Sequence, residues 1–485
     1  MTALIHMFIW ALTFVVVVIC AVDHLKGRLD GLSIRNTALV GFLIFMVQSA
    51  KVGLHYDIRT TYNLSDPHAT VFEWLGWCAL FLLVFFPVYR IGFGARSVAS
   101  ILPMPKATIG LTSAWPLMVC LTVMAFGLKA VPIPLVAALA GMTATGLASV
   151  AAGIAGWVWG PRLFNPIIAV PASFIVLANI FVANWGEFGR RPMVSVGAGL
   201  IWGMYYSAFR YLPLPSMAAR IALVAIPPVM VFGAYSSVRS WKTVGTTEVI
   251  RDMVSQGDAT STLDELGEQD TARVGQWLME YYDRGGYETR FLFTVQYFFM
   301  FPVPRELFEV VGFEKPWPIS TQMADLSNRK GVKLGNTGVT NPAGIIGNAS
   351  VEGGFIAIVV YAALGAFIFR VSDEYIRRGA HSAFLVLPIG ASLGQVMGIA
   401  RGESSTFMFH FLWTTFSVTV IMTSFSAVLS KLFPQLGADE ADAFGGTLEG
   451  DDAYDDSGYY LYDHESANES YTWYDETEHT PDSRS

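Results

Sequence analysis

Charge is scarce in this chain of 485 residues: Asp, Glu, Lys and Arg together make up 14%, against 53% hydrophobic residues. A soluble fold could not bury the long apolar runs that recur along the sequence, whereas a bilayer accommodates them. Cysteine is rarer still. Cys20, Cys78 and Cys120 each lie inside an apolar run without metal-ligand spacing, and read as small buried hydrophobes. The eight histidines are scattered, which argues against a metal centre built on them, and no metal or other cofactor is expected. No Gly-x-x-x-x-Gly-Lys-Ser/Thr phosphate loop and no His-Glu-x-x-His zinc motif occurs. Basic residues form no cluster of the kind that tracks nucleic acid, so nucleic acid is not expected as a partner. The apolar runs also lack the succession of acids and bases that marks an ion-coupled transporter.

Charge is also unevenly spread. From Asp439 onward fifteen acidic residues face Arg484 alone, a formal −14, so the remainder of the chain is +6 within the net −8. That segment holds six tyrosines (Tyr454, Tyr459, Tyr460, Tyr462, Tyr471 and Tyr474). Residues 431–485 are therefore expected to be a disordered acidic tail, either simply solvated or used for docking or phosphorylation.

Apolar runs of about 20 residues, the length that spans a bilayer, fall near 3–22, 36–54, 71–93, 109–128, 134–158, 164–184, 193–209, 217–236, 353–371, 381–399 and 405–429. The expected class is an all-α polytopic membrane protein of about eleven transmembrane helices. Eight fall within residues 1–236 and three within 353–430, with one long connection over 237–352. The first run has no basic leader or small-residue cleavage site and reads as a retained span. Odd-numbered connections carry nine Lys and Arg and even-numbered ones five. By the positive-inside rule the N-terminus lies outside, the C-terminus is cytoplasmic and the long connection is extracytoplasmic.

Within that connection, Val274, Trp277, Leu278 and Tyr281 recur at spacings of three and four, the face of a helix that packs on the loop or lies among headgroups. Phe291–Phe301 is apolar but too short to cross, so it is either re-entrant or a hydrophobic floor. Pro302, Pro304, Pro316 and Pro318 are expected to prevent regular helix and to stiffen the chain. Ser327–Gly335 is polar and reads as surface.

Four cations stand out on this side: Arg290, Arg305, Lys315 and Arg401. A guanidinium grips phosphate through two parallel hydrogen bonds, and lysine adds a point charge. Together they would suit a lipid-linked diphosphate and would neutralise a phosphate leaving group. Arginines at span ends also anchor to headgroups, a plainer reading that weighs more for Arg290 than for Arg305 and Arg401. Carboxylates available as a base are Glu306, Glu309, Glu314, Glu352 and Glu403. Glu403 is equally placed to pair with Arg401. Arg401, Arg305, Lys315, Glu403 and Glu352 are the expected catalytic residues, with Arg290, Glu306, Trp317, Gly353 and Gly354 contacting substrate.

The order Pro-Val-Pro-Arg-Glu-Leu-Phe, Glu-Lys-Pro, Asn-Pro-Ala-Gly-Ile-Ile-Gly and Glu-Gly-Gly-Phe, followed by the Arg401-Gly402-Glu403 turn, resembles bacterial oligosaccharide repeat-unit polymerases of the O-antigen polymerase family. The likeness covers roughly residues 237–430. Three departures are visible: Asn348 stands where the family often has Glu after Gly-x-x-Gly, Phe308 where Trp is common, and Glu314-Lys315 follow a longer spacer. The resemblance implies a GT-C-like, metal-independent, inverting glycosyltransferase of the bacterial cytoplasmic membrane. Its substrate would be undecaprenyl-diphosphate-linked oligosaccharide repeat units, polymerised on the outer face for exopolysaccharide or capsule. Apolar grooves would hold the polyprenyl chains, and export or chain-length-regulating proteins would be partners through the tail. Alternatives are a transporter of lipid-linked oligosaccharide, a ligase that moves finished polymer to another acceptor, and a non-catalytic scaffold.

Overall fold

The computed structural model describes residues 1–56, 60–105, 109–130, 134–185, 190–225, 271–327 and 340–432. Expectations for the acidic tail, for 226–270 and for 328–339 lie outside them. All regular elements among the described residues are helical, and eight helices are long and apolar enough to cross a membrane. These are α1 (Thr2–Leu25), α2 (Ile34–Phe42, prolonged by irregular turns to Leu54), α3 (Pro67–Ile91), α5 (Leu111–Ala130), α6 (Pro134–Trp159), α7 (Pro166–Asn184), α15 (Phe355–Arg378) and α18 (Ser404–Leu432). The chain is a membrane-embedded helical protein.

Two of the eleven expected spans differ, and a third runs on into residues outside those described. The run at 193–209 lies in α8 (Arg190–Ser207), which opens on Arg190 and Arg191 and is not apolar enough to count as a span. The run at 217–236 is described only as the short helix α9 (Leu214–Ala225). The run at 381–399 is broken into α16 (Ala383–Gly390) and α17 (Leu393–Gly398). Pro388 removes a backbone donor near the break, and the Ser392 hydroxyl lies 3.4 Å from that of Thr415 on α18.

α6 and α8 run parallel and meet along a seam of small residues. A Cβ on Gly203 would stand 1.9 Å from the Gly153 carbonyl oxygen, and one on Gly199 would stand 2.5 Å from that of Ser149. Backbones approach this closely only where side chains are absent, the packing that lipid-immersed helices favour. In α2, the Met46 carbonyl accepts from the Trp74 indole N–H of α3 at 2.8 Å.

The long connection packs onto this frame. In α10 (Thr271–Asp283), Val274 and Leu278 are buried while Trp277 stacks on Tyr281 and meets Tyr62 edge-on. Gln276 and Arg273 donate to the carbonyls of Ala50 and Val52 at the end of the α2 extension. The amphipathic face is thus a packing face. α11 (Phe293–Met300) packs Phe298, together with Phe301 just past its end, against Phe409 of α18. The prolines do not keep the next stretch out of helix. α12 (Arg305–Val310) and α13 (Ile319–Ser327) begin immediately after Pro304 and Pro318. Proline ahead of a first turn withholds only a donor that has no intrahelical acceptor there. Last comes α14 (Gly344–Val351), buried along nearly its whole length.

Gly203→Leu is expected to force α6 and α8 apart and cost about 1–3 kcal/mol or more. Gly127→Ala, with no neighbouring atom within 4 Å of the added methyl, should leave stability nearly unchanged. Thermal unfolding in detergent compares the two, and equal midpoints would contradict the seam.

Candidate functional site

Two of the five candidate carboxylates are buried, and they stand in one hydrogen-bonded chain. Glu352 lies between α14 and α15 and is 1% exposed. It accepts from the Thr294 backbone N–H and hydroxyl, each at 2.7 Å, and from the Tyr361 hydroxyl. Burial raises its pKa to about 7, while those donors act to lower it. Glu403, in the turn before α18, accepts from the Ser320 N–H at 3.1 Å, from Asn348 Nδ2 at 3.1 Å and, at 3.5 Å, from the Ser405 hydroxyl. Its pKa is raised for the same reason.

Asn348 joins the two acids. Its Nδ2 also lies 3.5 Å from the Thr294 hydroxyl that donates to Glu352. Among the described residues no Lys or Arg comes within ion-pair distance of either carboxylate. Asn348 supplies a donor at this point, and the carboxylate beside it is that of Glu403.

Two of the four cations, Arg305 and Lys315, meet at the other end of α11. Thr294 and Phe301 are seven residues apart in sequence, about 10 Å along a helix axis at 1.5 Å per residue. Lys315 is buried there, and its ammonium donates to the carbonyls of Phe301 at 2.9 Å and Val303 at 2.6 Å. Desolvation, helped by the nearby Arg305 charge, lowers its pKa to about 8. Arg305 Nη1 in turn donates to the Lys315 carbonyl at 2.7 Å, and the guanidinium lies 3.3 Å over the Trp317 ring. Each side chain therefore holds the other's segment. Tyr297 sits between the two groups: its ring is 5.9 Å from Lys315 Nζ, and burial plus the Glu403 charge raise its hydroxyl to about 12.

Arg401 does not join this pair. It is half-buried beyond the C-terminal end of α17, with its guanidinium 5.6 Å from the Phe45 ring of the α2 extension. Gly402 lets the turn close against Phe407, where a Cβ would stand 1.9 Å from that ring. The turn thus sends Glu403, rather than Arg401, towards the loop, and Glu403 is not an ion-pair partner of its neighbour. Arg290, Glu306, Glu309 and Glu314 are exposed and distribute around the loop surface. Gly353 and Gly354 have φ of +143° and +55°, and they turn the chain from α14 into α15 rather than opening a gap. A Cβ on Gly353 would meet the Phe291 ring at 2.6 Å.

Compared with known proteins, the chain matches no family model, no curated sequence and no solved structure. The functional reading therefore rests on geometry and on the resemblance in its motifs.

Sequence reasoning did not single out Thr294, Tyr361 or Ser320 as partners of the acids. The first two carry a signal, each being a lone hydroxyl in an apolar stretch, Phe-Thr-Val and Val-Tyr-Ala. The Gly390-Ala391-Ser392-Leu393-Gly394 stretch has the spacing of a nucleophile turn. It falls in the break between two helices, and the Ser392 hydroxyl meets Thr415 rather than a base. No group of three or more His, Cys, Asp or Glu side chains suited to a metal occurs among the described residues.

Asn348→Ala should remove a donor from buried Glu403 and cost about 1–3 kcal/mol. Asn348→Asp should be tolerated better at pH 5 than at pH 8. A third carboxylate can donate when protonated and repels Glu403 when ionised. Thermal midpoints of both variants that match the parent at both pH values would show that the bridge contributes nothing.

Proposed function

We propose that the protein polymerises polyprenyl-diphosphate-linked oligosaccharide repeat units by inverting, metal-independent glycosyl transfer on the outer face of the bacterial cytoplasmic membrane. One observation carries this reading. A buried carboxylate that titrates near neutrality and a guanidinium stacked on Trp317 stand at opposite ends of α11. In the reaction the acceptor hydroxyl oxygen attacks the anomeric carbon and its proton passes to Glu352. The carbon–oxygen bond to the diphosphate breaks, and that electron pair leaves on the phosphate oxygen.

Arg305 makes one hydrogen bond among the described residues, so four of its five N–H donors remain for the diphosphate. Lys315 has one of three left. Their mutual lock fixes Arg305 before substrate arrives, which reduces the ordering cost of binding. Glu352 is 1% exposed, so the reading requires α11 to move off α14 as the acceptor enters and takes over the hydrogen bonds from Thr294. An apolar groove of about 500 Å³ between α5, α6 and α18, lined by Met124, Leu128, Val136, Leu139, Trp413 and Ile421, suits part of a polyprenyl chain.

Transport of lipid-linked oligosaccharide is the second reading. It draws on the break between α16 and α17 and on the two buried acids without cations, since broken helices and intramembrane acids serve binding and proton relay in transporters.

The decisive experiment incubates purified protein with synthetic lipid-linked repeat units and reads chain length on a gel. Glu352→Gln should lower chain growth at least about 100-fold, the lower end of what a general base contributes. Arg305→Ala should raise the substrate concentration required. Growth should rise through pH 7 as Glu352 loses its proton and fall above pH 8 as Lys315 loses its own. Full growth in both variants would sink the residue assignment. Absence of growth in the parent, together with uptake of labelled substrate into proteoliposomes, would establish transport instead.

A further inference from the structure

At the end of the bundle away from Glu352, a second group of charges has no part in the proposed reaction. α15 has 24 residues, about 36 Å at 1.5 Å per residue, against a hydrocarbon core of about 30 Å. Its last turn therefore lies at the opposite membrane surface. There Glu374, 3% exposed, collects three arginines: Arg370, Arg377 at 3.0 Å, and Arg96 of the short helix α4 (Ala95–Ile101) at 3.5 Å. Asp373 is taken by the backbone N–H groups of Ile34 and Arg35 and by the Tyr89 hydroxyl. Asp23 pairs with Arg35 at 2.6 Å and meets Arg90 at 3.9 Å.

Tyr89 makes this one cluster, since Arg35 and Arg370 both lie within about 5 Å of its ring. Arg378 donates to the Ala99 carbonyl and pins α4 to α15. Among the described residues six guanidiniums thus face three carboxylates. Arg90 and Arg96 have side chains 59% and 66% exposed and make no hydrogen bond among the described residues.

The surroundings of these two arginines are apolar. Gly92 and Gly94, at φ of +72° and +77°, fold the chain back after α3. Ile91, Phe93 and Ile101 are left 65%, 62% and 82% exposed beside the arginines. A soluble anion would satisfy the charges and leave those side chains uncovered. A ligand with a phosphate above and hydrocarbon below satisfies both.

We infer that the α3–α4 turn and the last turn of α15 form a binding site for the phosphate of an anionic phospholipid, with its acyl chains against Ile91, Phe93 and Ile101. Basic groups between helices at a membrane surface bind such headgroups at about 1 kcal/mol per residue, which is about fivefold in affinity for each arginine.

The test is native mass spectrometry of the full-length protein released from mixed micelles holding equal phosphatidylglycerol and phosphatidylcholine. The parent should retain phosphatidylglycerol preferentially. Arg90→Gln/Arg96→Gln should lower that preference about 25-fold, while retention of phosphatidylcholine stays constant. If the double variant fails to fold, Arg90→Gln alone gives up only the 3.9 Å approach to Asp23 and should show a fivefold loss. No preference in the parent, or an unchanged preference in whichever variant folds, would overturn the site. Displacement of the lipid by millimolar inorganic phosphate would overturn it too, in favour of a soluble anion.

Discussion

Three donors converge on the Glu352 carboxylate, and the placement of the long connection depends on them. Two come from Thr294 on α11 and one from Tyr361 on α15, while the Glu352 carbonyl accepts from the Leu292 N–H. A carboxylate cannot be left unmet in a low-dielectric interior, because removing a partner exposes the full desolvation cost. Satisfying Glu352 therefore fixes the first turn of α11 against α14 and α15. The same helix rests on Phe409 and ends in the Phe301 carbonyl that receives Lys315. One acid's hydrogen bonds thus set the position of the cationic group as well.

The readable parts of this fold were those in which a local pattern has one solution. Spacings of three and four put Val274 and Leu278 on the buried face of α10, and long apolar runs became membrane-length helices. The run at 381–399 shows the opposite case: composition is the same whether such a segment is one helix or two, and the break depends on Pro388 and on a serine pair with α18. Pro304 and Pro318 precede helices, against expectation, because proline forbids helix within a segment but not at its start. Burial divided the five candidate acids, and burial is a property of neighbours far off in sequence. Arg401 and Glu403 are two residues apart on a tight turn. Which of them faces the loop is decided by Gly402 lying against Phe407, a contact with no signature in either residue.

The two membrane ends of α15 solve the problem of buried charge in opposite ways. At Glu352 and Glu403 the partners are neutral donors, and burial raises the pKa of both acids, that of Glu352 to about 7. At Glu374 the partners are arginines, and the exposed Arg90 and Arg96 face outward. A neutral donor network is the arrangement to expect where protonation must change during function, because a cation within ion-pair distance would pull the pKa down. An arginine-rich network is the arrangement to expect where charge must stay constant.

The lock between Arg305 and Lys315 follows the same logic. Lysine spends two donors on the carbonyls that end α11, and arginine spends one on the lysine's own backbone, so neither cation is held by a carboxylate that a phosphate would have to displace. The Trp317 ring covers one face of the guanidinium and leaves its edge, the part that matches two phosphate oxygens. An anion arriving there gains both charges without breaking an ion pair. Exposed Glu306 and Glu309 lie nearby on α12, but they make no ion pair with Arg305 among the described residues. Among the described residues the acids at this loop do not neutralise the arginine, and its edge stays open to an anion in the proposed reaction.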